Sequence, residues 1–534
     1  MKMPTHNLLR ESRWRRIIQR VLRAAAGVLL AALITLALLL YWPLPKTPNP
    51  GKTGDFLVRN VAVVDVVNGQ VVPGRDVVVR NGRIASVGEI GAAPAESGLF
   101  VVDGEGKFLI PGLWDMHVHS LKIAPQYSHP LSIANGVTGV REMWGCPDIM
   151  DSFVACGGDI DRWRSALQDR SQLAPRYIMR SSYAINGEAG VPGSAPEFFK
   201  ARNADEGRAI AAHEAGSGVD LIKVYTDIPL DAYEALTAEA SRRGVRVAGH
   251  LPVRIPLRTV MAAGQHSVEH PRIFLFECYR GAAEFRALPH PMRAYTTDMR
   301  ARFIDDHDRP FCSHLMAEMA ESDTWWTPTL QVLRMSAFAE RPEFRNDPRQ
   351  RYIPRSFWHG LWDWDAEGAA ARSRDAAGRH VDAELYALAK ETVRQAHEAG
   401  VQIVAGTDAG DTYVFPGFAI HDELEELVSA GISPVDALQM ATIDAAQFAD
   451  KSTDYGSIEA GKVADMVLLD ANPLVDIRNT QKISGLFFNG QYFDRSALNE
   501  LLRFAEEQAG SIRTNMQLLW GAIRSPIVWA QAQD

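Results

Sequence analysis

A long apolar run near the N-terminus is the first feature of the hydrophobic pattern. Residues 24–45 (AAAGVLLAALITLALLLYWPLP) carry no charge, and residues 1–23 before them hold seven Lys and Arg side chains. About 20 apolar residues span a bilayer as a helix, and Tyr41 and Trp42 stand where interfacial aromatic residues are expected. We predict a transmembrane anchor over 24–45. A cleaved signal peptide is the alternative, although its apolar stretch is usually shorter and small residues mark its cleavage site.

The asymmetry of positive charge predicts the orientation of this anchor. Basic residues stay on the cytoplasmic side, so 1–23 is predicted to be a cytoplasmic arm of a single-pass protein of the inner membrane. The chain after Lys46 is then expected on the periplasmic, extracytoplasmic side. Residues 46–54 (KTPNPGKTG) are rich in Pro and Gly and predict a linker.

Alternating apolar and polar residues predict β-strands near both ends of the chain. Residues 56–90 are rich in Val and Ile and contain Asn-Gly twice, the pattern of strands joined by tight turns. Similar patterns return at 464–470 and 483–494. We predict one small β-sandwich domain built from 55–107 and 452–495.

Between these flanks, short apolar strands alternate with helical stretches, which is the pattern of βα repeats. The eight strand candidates are LIPGLWDMHVHS, VTGVREM, RYIMRSSYAI, DLIKVYT, VRVAGHLP, QHSVEHPR, WWTPTLQV and VQIVAGTDAG. They predict an α/β fold, a (β/α)8 TIM-type barrel over 108–451, followed by a helical tail over 496–534. A doubly wound open sheet is the alternative, but no Gly-rich phosphate loop follows the first strand.

Two connections are too long for simple barrel loops. About 50 residues separate the sixth and seventh strands and about 70 separate the seventh and eighth, and we expect both to fold over the barrel mouth. The second contains Trp358, Trp362 and Trp364, which either pack the insertion's own core or contact substrate. The apolar end of the tail, QLLWGAIRSPIVWAQ, predicts a helix packed on the barrel or an interfacial helix.

Composition excludes some classes of protein and leaves the cysteines open. The chain has 534 residues, a net charge of -9 and a pI near 6.0. A nucleic-acid binder carries an excess of basic residues, so this composition does not indicate that class. The four cysteines, Cys146, Cys156, Cys278 and Cys312, allow three pairings. An exported domain permits disulfides, but four free thiols fit equally well.

Polar residues end several of the predicted barrel strands. His117 and His119 end the first strand on one face, because residues i and i+2 point the same way. Lys223, His250, His270 and Asp408 lie at the ends of the fourth, fifth, sixth and eighth strands. Each of these residues alone could be structural. Lys223 could extend its ammonium group to solvent, His250 and His270 could be hydrogen-bonded core residues, and Asp408 could cap a helix. Together they predict a metal site, because barrel enzymes gather functional residues at the carboxyl ends of their strands.

The motifs GLWDMHVHS, LIKVYT, VAGH, SVEH and GTDAG resemble those of the amidohydrolase superfamily. The branch with most likeness contains imidazolonepropionase-like proteins and Xaa-Pro or Xaa-Arg dipeptidases, and the resemblance covers about residues 55–495. It implies that His117, His119 and Asp408 bind one divalent metal ion, expected to be zinc, and that His250 and His270 bind a second. Lys223 would be carboxylated by CO2, and its carbamate would bridge the ions.

Three departures from the family leave the substrate open. The stretch INGEAGVPGS lacks the Gly-Gly-His that many relatives carry after the third strand, the two loops are long, and the anchor and the tail are additions. Imidazolonepropionase, in the family pattern, uses a single metal without the lysine, so Lys223 favours the dipeptidase side of the branch.

The resemblance implies hydrolysis of a C–N bond in a small substrate, such as a dipeptide or an N-acyl amino acid, by a metal-bridging hydroxide. Asp408 would act as catalytic base and then acid. The same site could instead cleave an ester, lactone, cyclic amide or phosphotriester. A non-catalytic, membrane-tethered binding module is a third reading, and a homo-oligomer is left open.

Arg141 and Tyr225 are the residues that we predict to bind substrate. Both end or follow a barrel strand, and a guanidinium with a phenol could hold the substrate's carboxylate. The alternative is that Arg141 pairs with an acidic residue of the protein and Tyr225 fills the core.

Overall fold

The computed structural model describes residues 6–92, 98–146, 151–187 and 200–531. The departure in the loop after the third strand therefore lies mostly outside the described residues. Within them the strands are β1 Lys52–Thr53, β2 Phe56–Asp65, β3 Gln70–Arg80, β4 Arg83–Glu89, β5 Phe100–Asp103, β6 Phe108–Pro111, β7 Leu113–Val118, β8 Val137–Glu142, β9 Arg176–Arg180, β10 Leu221–Val224, β11 Arg246–His250, β12 Ser267–Glu269, β13 Trp325–Thr327, β14 Met466–Leu469, β15 Ile483–Phe488 and β16 Gln491–Asp494.

Helices precede, separate and follow these strands. They are α1 His6–Tyr41, α2 Ser128–Ala134, α3 Gly157–Gln168, α4 Ala204–Gly216, α5 Leu230–Arg242, α6 Leu257–Ala262, α7 Ile273–Glu277, α8 Ala282–Arg286, α9 Thr297–Asp305, α10 Arg309–Ala320, α11 Leu330–Phe338, α12 Pro342–Arg345, α13 Arg355–Phe357, α14 Asp363–Ala371, α15 Val381–Glu398, α16 Ala419–Ala430, α17 Pro434–Met440, α18 Ile443–Phe448, α19 Arg495–Gly510, α20 Ile512–Arg524 and α21 Pro526–Gln531. A π-helical turn, Trp358–Trp362, joins α13 to α14.

The predicted apolar helix at the N-terminus is confirmed, with different limits. Its segment Trp14–Tyr41 has a mean hydropathy of 2.4 and none of its apolar window is buried. Helix α1 begins inside the basic arm and ends at Tyr41 rather than 45, because Pro43 and Pro45 disfavour helical backbone before them. Within the described residues it is the one helix long and apolar enough to cross a membrane, a criterion that a signal sequence also meets.

The linker after α1 is hydrogen-bonded to the rest of the protein. The side chain of Gln126 donates a hydrogen bond to the carbonyl of Pro45 at 2.6 Å, and the Thr47 hydroxyl donates to the carbonyl of Pro125 at 2.5 Å. Further along, β1 pairs with β16. These contacts hold the end of α1 in a fixed relation to the body of the protein.

Strands from both ends of the chain form one mixed sheet, as the alternating pattern predicts. Its order is β1-β16-β15-β14-β6-β2-β3-β4, with β5 beside β2. Among the described residues eight of these nine strands follow a single path of pairings and β5 branches from β2, whereas we predicted a sandwich. Inward-facing residues of β2, β3 and β14, such as Val58, Val77 and Met466, are buried in a separate core, as period-2 alternation requires.

The predicted parallel strands of the centre are confirmed, whereas a closed barrel stays a prediction. Strands β7–β9 form one parallel sheet and β10–β13 another. Isolated parallel bridges link them, Ser181 to Leu221 on one side, Trp326 to Ile403 and Val118 to Ala409 on the other. The eighth predicted strand is thus an extended segment held by bridges. Helices α5 and α15 end shortly before Gly244 and Gly400, which have positive φ, the expected C-terminal signal.

The cysteines form two disulfides, which resolves the open pairing. Cys146 is bonded to Cys156 and Cys278 to Cys312. The second joins the end of α7 to α10 within the long connection between β12 and β13.

The C-terminal tail packs on α1, on α2 and on the second long connection. Helix α19 packs against α2, and α20 contacts α1, α13 and α19. The Gln517 side chain donates hydrogen bonds to the carbonyls of Leu39, at 3.2 Å, and Trp42, at 2.8 Å. The tail therefore connects the apolar N-terminal helix to the face where the predicted site residues lie.

Candidate metal centre

His117, His119 and Asp408 bring three ligand atoms together at the end of β7. One donor atom from each lies within 4.8 Å of the other two. The Asp408 Oδ1 atom is 3.4 Å from His117 Nε2 and 3.1 Å from His119 Nε2. The backbone N–H of Asp408 donates to the His117 carbonyl at 2.8 Å, so bridging of the eighth segment to β7 creates this cluster.

These donor atoms fit a cation. Nε2 of both histidines and Oδ1 of Asp408 are buried and have no hydrogen-bond partner among the described residues. A buried polar atom without a partner costs about 1–3 kcal/mol, and three that converge on one point favour a positive ion there. Imidazole and carboxylate are the ligands that suit zinc and similar divalent metals.

A carboxylate behind the cluster sets the orientation of His117. Its Nδ1–H donates to Glu269 Oε2 at 2.9 Å, and both side chains are fully buried. This hydrogen bond leaves the Nε2 lone pair facing the cluster, the arrangement that holds ligating histidines in metal sites. Burial lowers the pKa of His117 well below its usual value, and Lys223 and Arg141 lower it further, so the ring is neutral.

His250 and His270 form a second pair of donors. Their Nε2 atoms face each other at 3.0 Å, and each Nδ1 lies beside a threonine hydroxyl, Thr226 at 2.9 Å and Thr329 at 3.0 Å. Burial lowers the pKa of both histidines well below the ordinary value. Two neutral imidazoles that present the same ring nitrogen to each other could share a second ion.

Lys223 lies in the same cavity, on β10. Its ammonium group is buried and donates to the Met143 carbonyl at 2.7 Å. Burial lowers the pKa of Lys223, an effect opposed by the carboxylates of Asp408, Glu269 and Glu142. A lysine with a lowered pKa is the form of amine that can react with CO2.

The backbone at two of the donors adopts an uncommon conformation. Asp408 has φ 66° and His270 has φ 75°, the left-handed region where Asp and His are tolerated better than most residues. Such conformations cost of order 1–3 kcal/mol and cluster at functional sites. Burial raises the pKa of Asp408 to about 8, with Asp411 adding to the rise and Lys223 opposing it.

A cavity of about 760 Å³ opens above these donors. Its polar floor contains five of the six predicted ligands and Tyr225, whose ring centre is 4.1 Å from that of His250. The sixth, His117, lies behind His119 and is fully buried. Residues from the second long connection and from α20 and α21 form much of the remaining wall, so this insertion folds over the candidate site. Of the tryptophans there, Trp362 is buried in core and Trp364 lines the cavity.

The structure corrects the placement of Arg141. Its guanidinium is fully buried and donates to Glu269 at 2.7 Å, to Ser267 at 2.9 Å and to Thr327 at 3.0 Å. It does not line the cavity, because these protein acceptors hold it inside the barrel. Arg141 and Tyr225 therefore do not share a substrate carboxylate; Arg141 instead holds the acid that orients His117.

Glu269, Arg272 and Asp411 are site residues that the sequence reasoning missed. Arg272 and Asp411 line the cavity, and the Arg272 Nε atom is buried without a hydrogen-bond partner. Burial raises the pKa of Asp411 to about 6. Each follows or precedes a predicted ligand by one to three positions, in SVEHPR and GTDAGD, and that proximity was the available signal.

Sequence comparisons find a family segment that contains the eighth predicted barrel strand, residues 401–410. The model of the amidohydrolase family matches residues 363–492. Adenine deaminase 3 of Rhizobium meliloti (strain 1021) is 41% identical over 68 residues, 13% of this chain and 11% of that protein. Adenine deaminase of Listeria welshimeri is 32% identical over 88 residues, 16% of this chain and 14% of that protein. The chain thus spans only a small part of these curated relatives.

Solved structures are similar over most of the chain. A bottromycin amidohydrolase superposes with a TM-score of 0.66 and 22% identity, covering 89% of this chain and 92% of that one. A Xaa-Pro dipeptidase with bound methionine in the active site gives 0.57 and 19%, covering 82% and 100%. At identities this low, the superpositions show a shared fold alone.

Residues 363–492 therefore carry an amidohydrolase family segment, and the fold is one that an amidohydrolase of known structure shares. Membership of the whole chain in the amidohydrolase superfamily, the dipeptidase-type branch and a two-metal site remain predictions.

Proposed function

We propose that the protein is a metal-dependent hydrolase that cleaves a C–N bond in a small substrate such as a dipeptide or an N-acyl amino acid. The observation that supports this most is the convergence of donor atoms of His117, His119 and Asp408 that have no hydrogen-bond partner among the described residues, beside a large cavity that His119 and Asp408 line. A binding module has no need of such a set. The two parallel sheets and the extended eighth segment are interpreted as one (β/α)8 barrel over 108–451.

His117, His119 and Asp408 would hold one divalent ion and His250 with His270 the other, with zinc the expected metal. Lys223, as a carbamate, would bridge them, since a carbamate is an anionic oxygen donor and an amine with a proton is not. When bound, such ions lower the pKa of water and polarise a carbonyl.

Asp408 would move the proton in this reaction. Its carboxylate is placed to accept a proton from the attacking water and to pass it to the leaving amine, as general base and then acid. Tyr225, stacked beside His250 at the cavity wall, would position the substrate.

Turnover of a panel of amides and esters tests this function. We expect the full-length protein to hydrolyse dipeptides or N-acyl amino acids, to lose activity with a chelator and to recover it with zinc. The variant His119→Ala should be inactive, and His314→Ala, at an exposed histidine on α10, should match the parent protein. Turnover of only esters, lactones, cyclic amides or phosphotriesters would contradict the C–N assignment. Chelator-resistant activity would contradict the metal.

The carbamate is tested at Lys223. We expect Lys223→Ala to lose most bound metal and activity, and small carboxylic acids with bicarbonate to restore part of both, because they return an anionic oxygen donor to the same place. Lys482→Ala, at an exposed lysine, is the matched control. Normal turnover by Lys223→Ala would show that the lysine only packs.

We further propose that α1 anchors the protein in the inner membrane with the catalytic domain on the extracytoplasmic side. The basic residues before the apolar stretch support this orientation. Protease added to spheroplasts should degrade the domain after Lys46 and leave a short N-terminal fragment. Full protection of the domain would reverse the topology, and a purified chain lacking its first residues would indicate a cleaved signal.

A further inference from the structure

The cavity has a polar floor and an apolar rim. The floor holds five of the six candidate ligands, whereas the rim is lined by Leu361, Trp364, Leu518, Leu519, Ala522 and Val528. The charged end groups of a free dipeptide would find no polar partner on this rim, because these side chains are apolar. The rim instead fits a hydrocarbon chain.

The apolar surface continues outside the cavity. Trp364 is 73% exposed and Leu519 is 45% exposed, and the nearby tail residues Ile523 and Trp529 are 57% and 55% exposed. Apolar side chains grouped on a surface mark a contact with a protein, a ligand or a membrane. Of these, Trp364 and Leu519 line the cavity that holds the candidate metal site.

The rim lies beside the end of the apolar N-terminal helix. Helix α20 carries Leu518, Leu519 and Ala522, and packs directly against α1. Gln517, the neighbour of these rim residues, binds the carbonyls of Leu39 and Trp42. Tyr41 and Trp42 are 64% and 59% exposed, as expected of aromatic residues at a bilayer surface. The hydrogen bond from Gln126 to Pro45 keeps this end of α1 against the barrel mouth.

We propose that the cavity accepts an amide-bearing amphiphile from the bilayer, with its hydrocarbon chain on the rim and its amide at the metal donors. The inference rests on the proposed hydrolase function and on α1 as a membrane anchor. In the reaction the C–N bond breaks, a C–O bond forms with the oxygen of water, and the water's protons end on the amine and the fatty acid. The products are a carboxylic acid and an amine, and no further reactant is needed.

Binding of chain-length pairs tests the rim without relying on turnover. We would measure octanesulfonylglycine and methanesulfonylglycine, which resist hydrolysis, by calorimetry on the full chain in nanodiscs, with empty nanodiscs subtracted. Burial of two methylenes gives about a tenfold gain in affinity, so we expect the octyl compound to bind at least tenfold more tightly. Both compounds share the same head, so their ratio isolates the chain.

Charged substitutions on the rim should abolish this preference. We expect Leu519→Glu and Trp364→Glu to reduce the ratio to less than threefold while binding of methanesulfonylglycine stays unchanged. Val475→Glu, at a residue 78% exposed and outside the rim, should keep the ratio of the parent protein. Equal affinity for the two compounds, or rim variants that keep the preference, would overturn the proposal. Rim variants that change only the oligomeric state, with no chain preference in the parent protein, would identify a subunit interface and also overturn it.

The outcomes separate this inference from the proposed function. Hydrolysis of N-acetyl and N-octanoyl glycine at equal kcat/KM, with no difference in binding, would leave the hydrolase intact and reject the amphiphile. A chain preference in binding with no turnover of any amide would support the rim and reject the C–N hydrolase.

Discussion

Arg141, Glu269 and His117 form a buried chain of contacts that ends at the candidate metal. The guanidinium of Arg141 holds Glu269 Oε2 at 2.7 Å, and the same oxygen accepts from His117 Nδ1 at 2.9 Å. Since Glu269 is fully buried between them, it both offsets the charge of Arg141 and fixes the tautomer of His117. Its role is to position a ligand.

We expect Glu269→Gln to weaken metal binding about 10- to 100-fold, the usual cost of losing such a partner. The amide still accepts hydrogen bonds, so the barrel should fold, although a less neutralised Arg141 will lower the melting temperature. Competition with a fluorescent chelator measures the affinity, and Glu367→Gln, at a residue 73% exposed, is the control. Unchanged affinity in Glu269→Gln would show that Glu269 serves only to neutralise Arg141.

Asp408→Asn isolates the proton-transfer role. Asparagine tolerates the positive φ of 66° at this position as readily as aspartate does, so we expect the fold to persist. We expect kcat to fall about 10²- to 10⁴-fold, because the amide cannot accept and return a proton. Metal content must be measured on the same sample, since the amide is also a weaker ligand. Unchanged kcat would remove Asp408 from the chemistry.

At the scale of strands, the candidate ligands could be predicted because each ends or follows a β-strand. The alternation of β7 places His117 and His119 on one face, and the carboxyl ends of the parallel strands bring the other four to the same end. Arg141 could not be placed in this way. Its long side chain reaches across to β12 and β13, and that contact depends on how three strands pack, which the local pattern does not encode.

The long connections were predicted to fold over the barrel mouth, and the second does line the cavity, but neither the detailed packing of its helices nor the position of the tail was predictable. Helices α7–α10 and α11–α15 carry apolar faces that many partner surfaces could cover. The amphipathic α20 could have packed anywhere on the barrel, and only the tertiary structure shows it between the cavity and α1. Likewise, the sequence allowed three cysteine pairings, and proximity in the fold selects one.

The Cys278–Cys312 disulfide should stabilise the connection between α7 and α10. It closes a loop with a sequence separation of 34, for which the loss of unfolded-state entropy corresponds to about 3–4 kcal/mol. We expect the double variant Cys278→Ser/Cys312→Ser to lose a free energy of unfolding of about this size in urea, with its metal content unchanged, because the bond lies outside the donor cluster. A loss below about 1 kcal/mol would contradict a bond that forms in the native protein.

At the scale of the whole molecule, the structure joins an apolar N-terminal helix, a sheet made from both ends of the chain and a central α/β body with one donor-rich cavity. The alternating and βα patterns predicted these parts and their order. The hydrogen bond at Pro45 and the pairing of β1 with β16, which attach residues 45–53 to the body, were not predictable. The Pro and Gly residues of KTPNPGKTG equally fit a free linker. These contacts matter because they hold the opening of the cavity beside the end of α1.

The number of metal ions per chain tests the central claim most directly. Full-length protein prepared without chelator, and then titrated with zinc, would be analysed for metal and protein on the same sample. We expect saturation at two ions per chain in the parent protein and at no more than one in His250→Ala, because His250 and His270 form the second pair of donors. Saturation of the parent at one ion would contradict the two-metal site and the carbamate bridge, and failure to bind any divalent metal would contradict the account of the site as a whole.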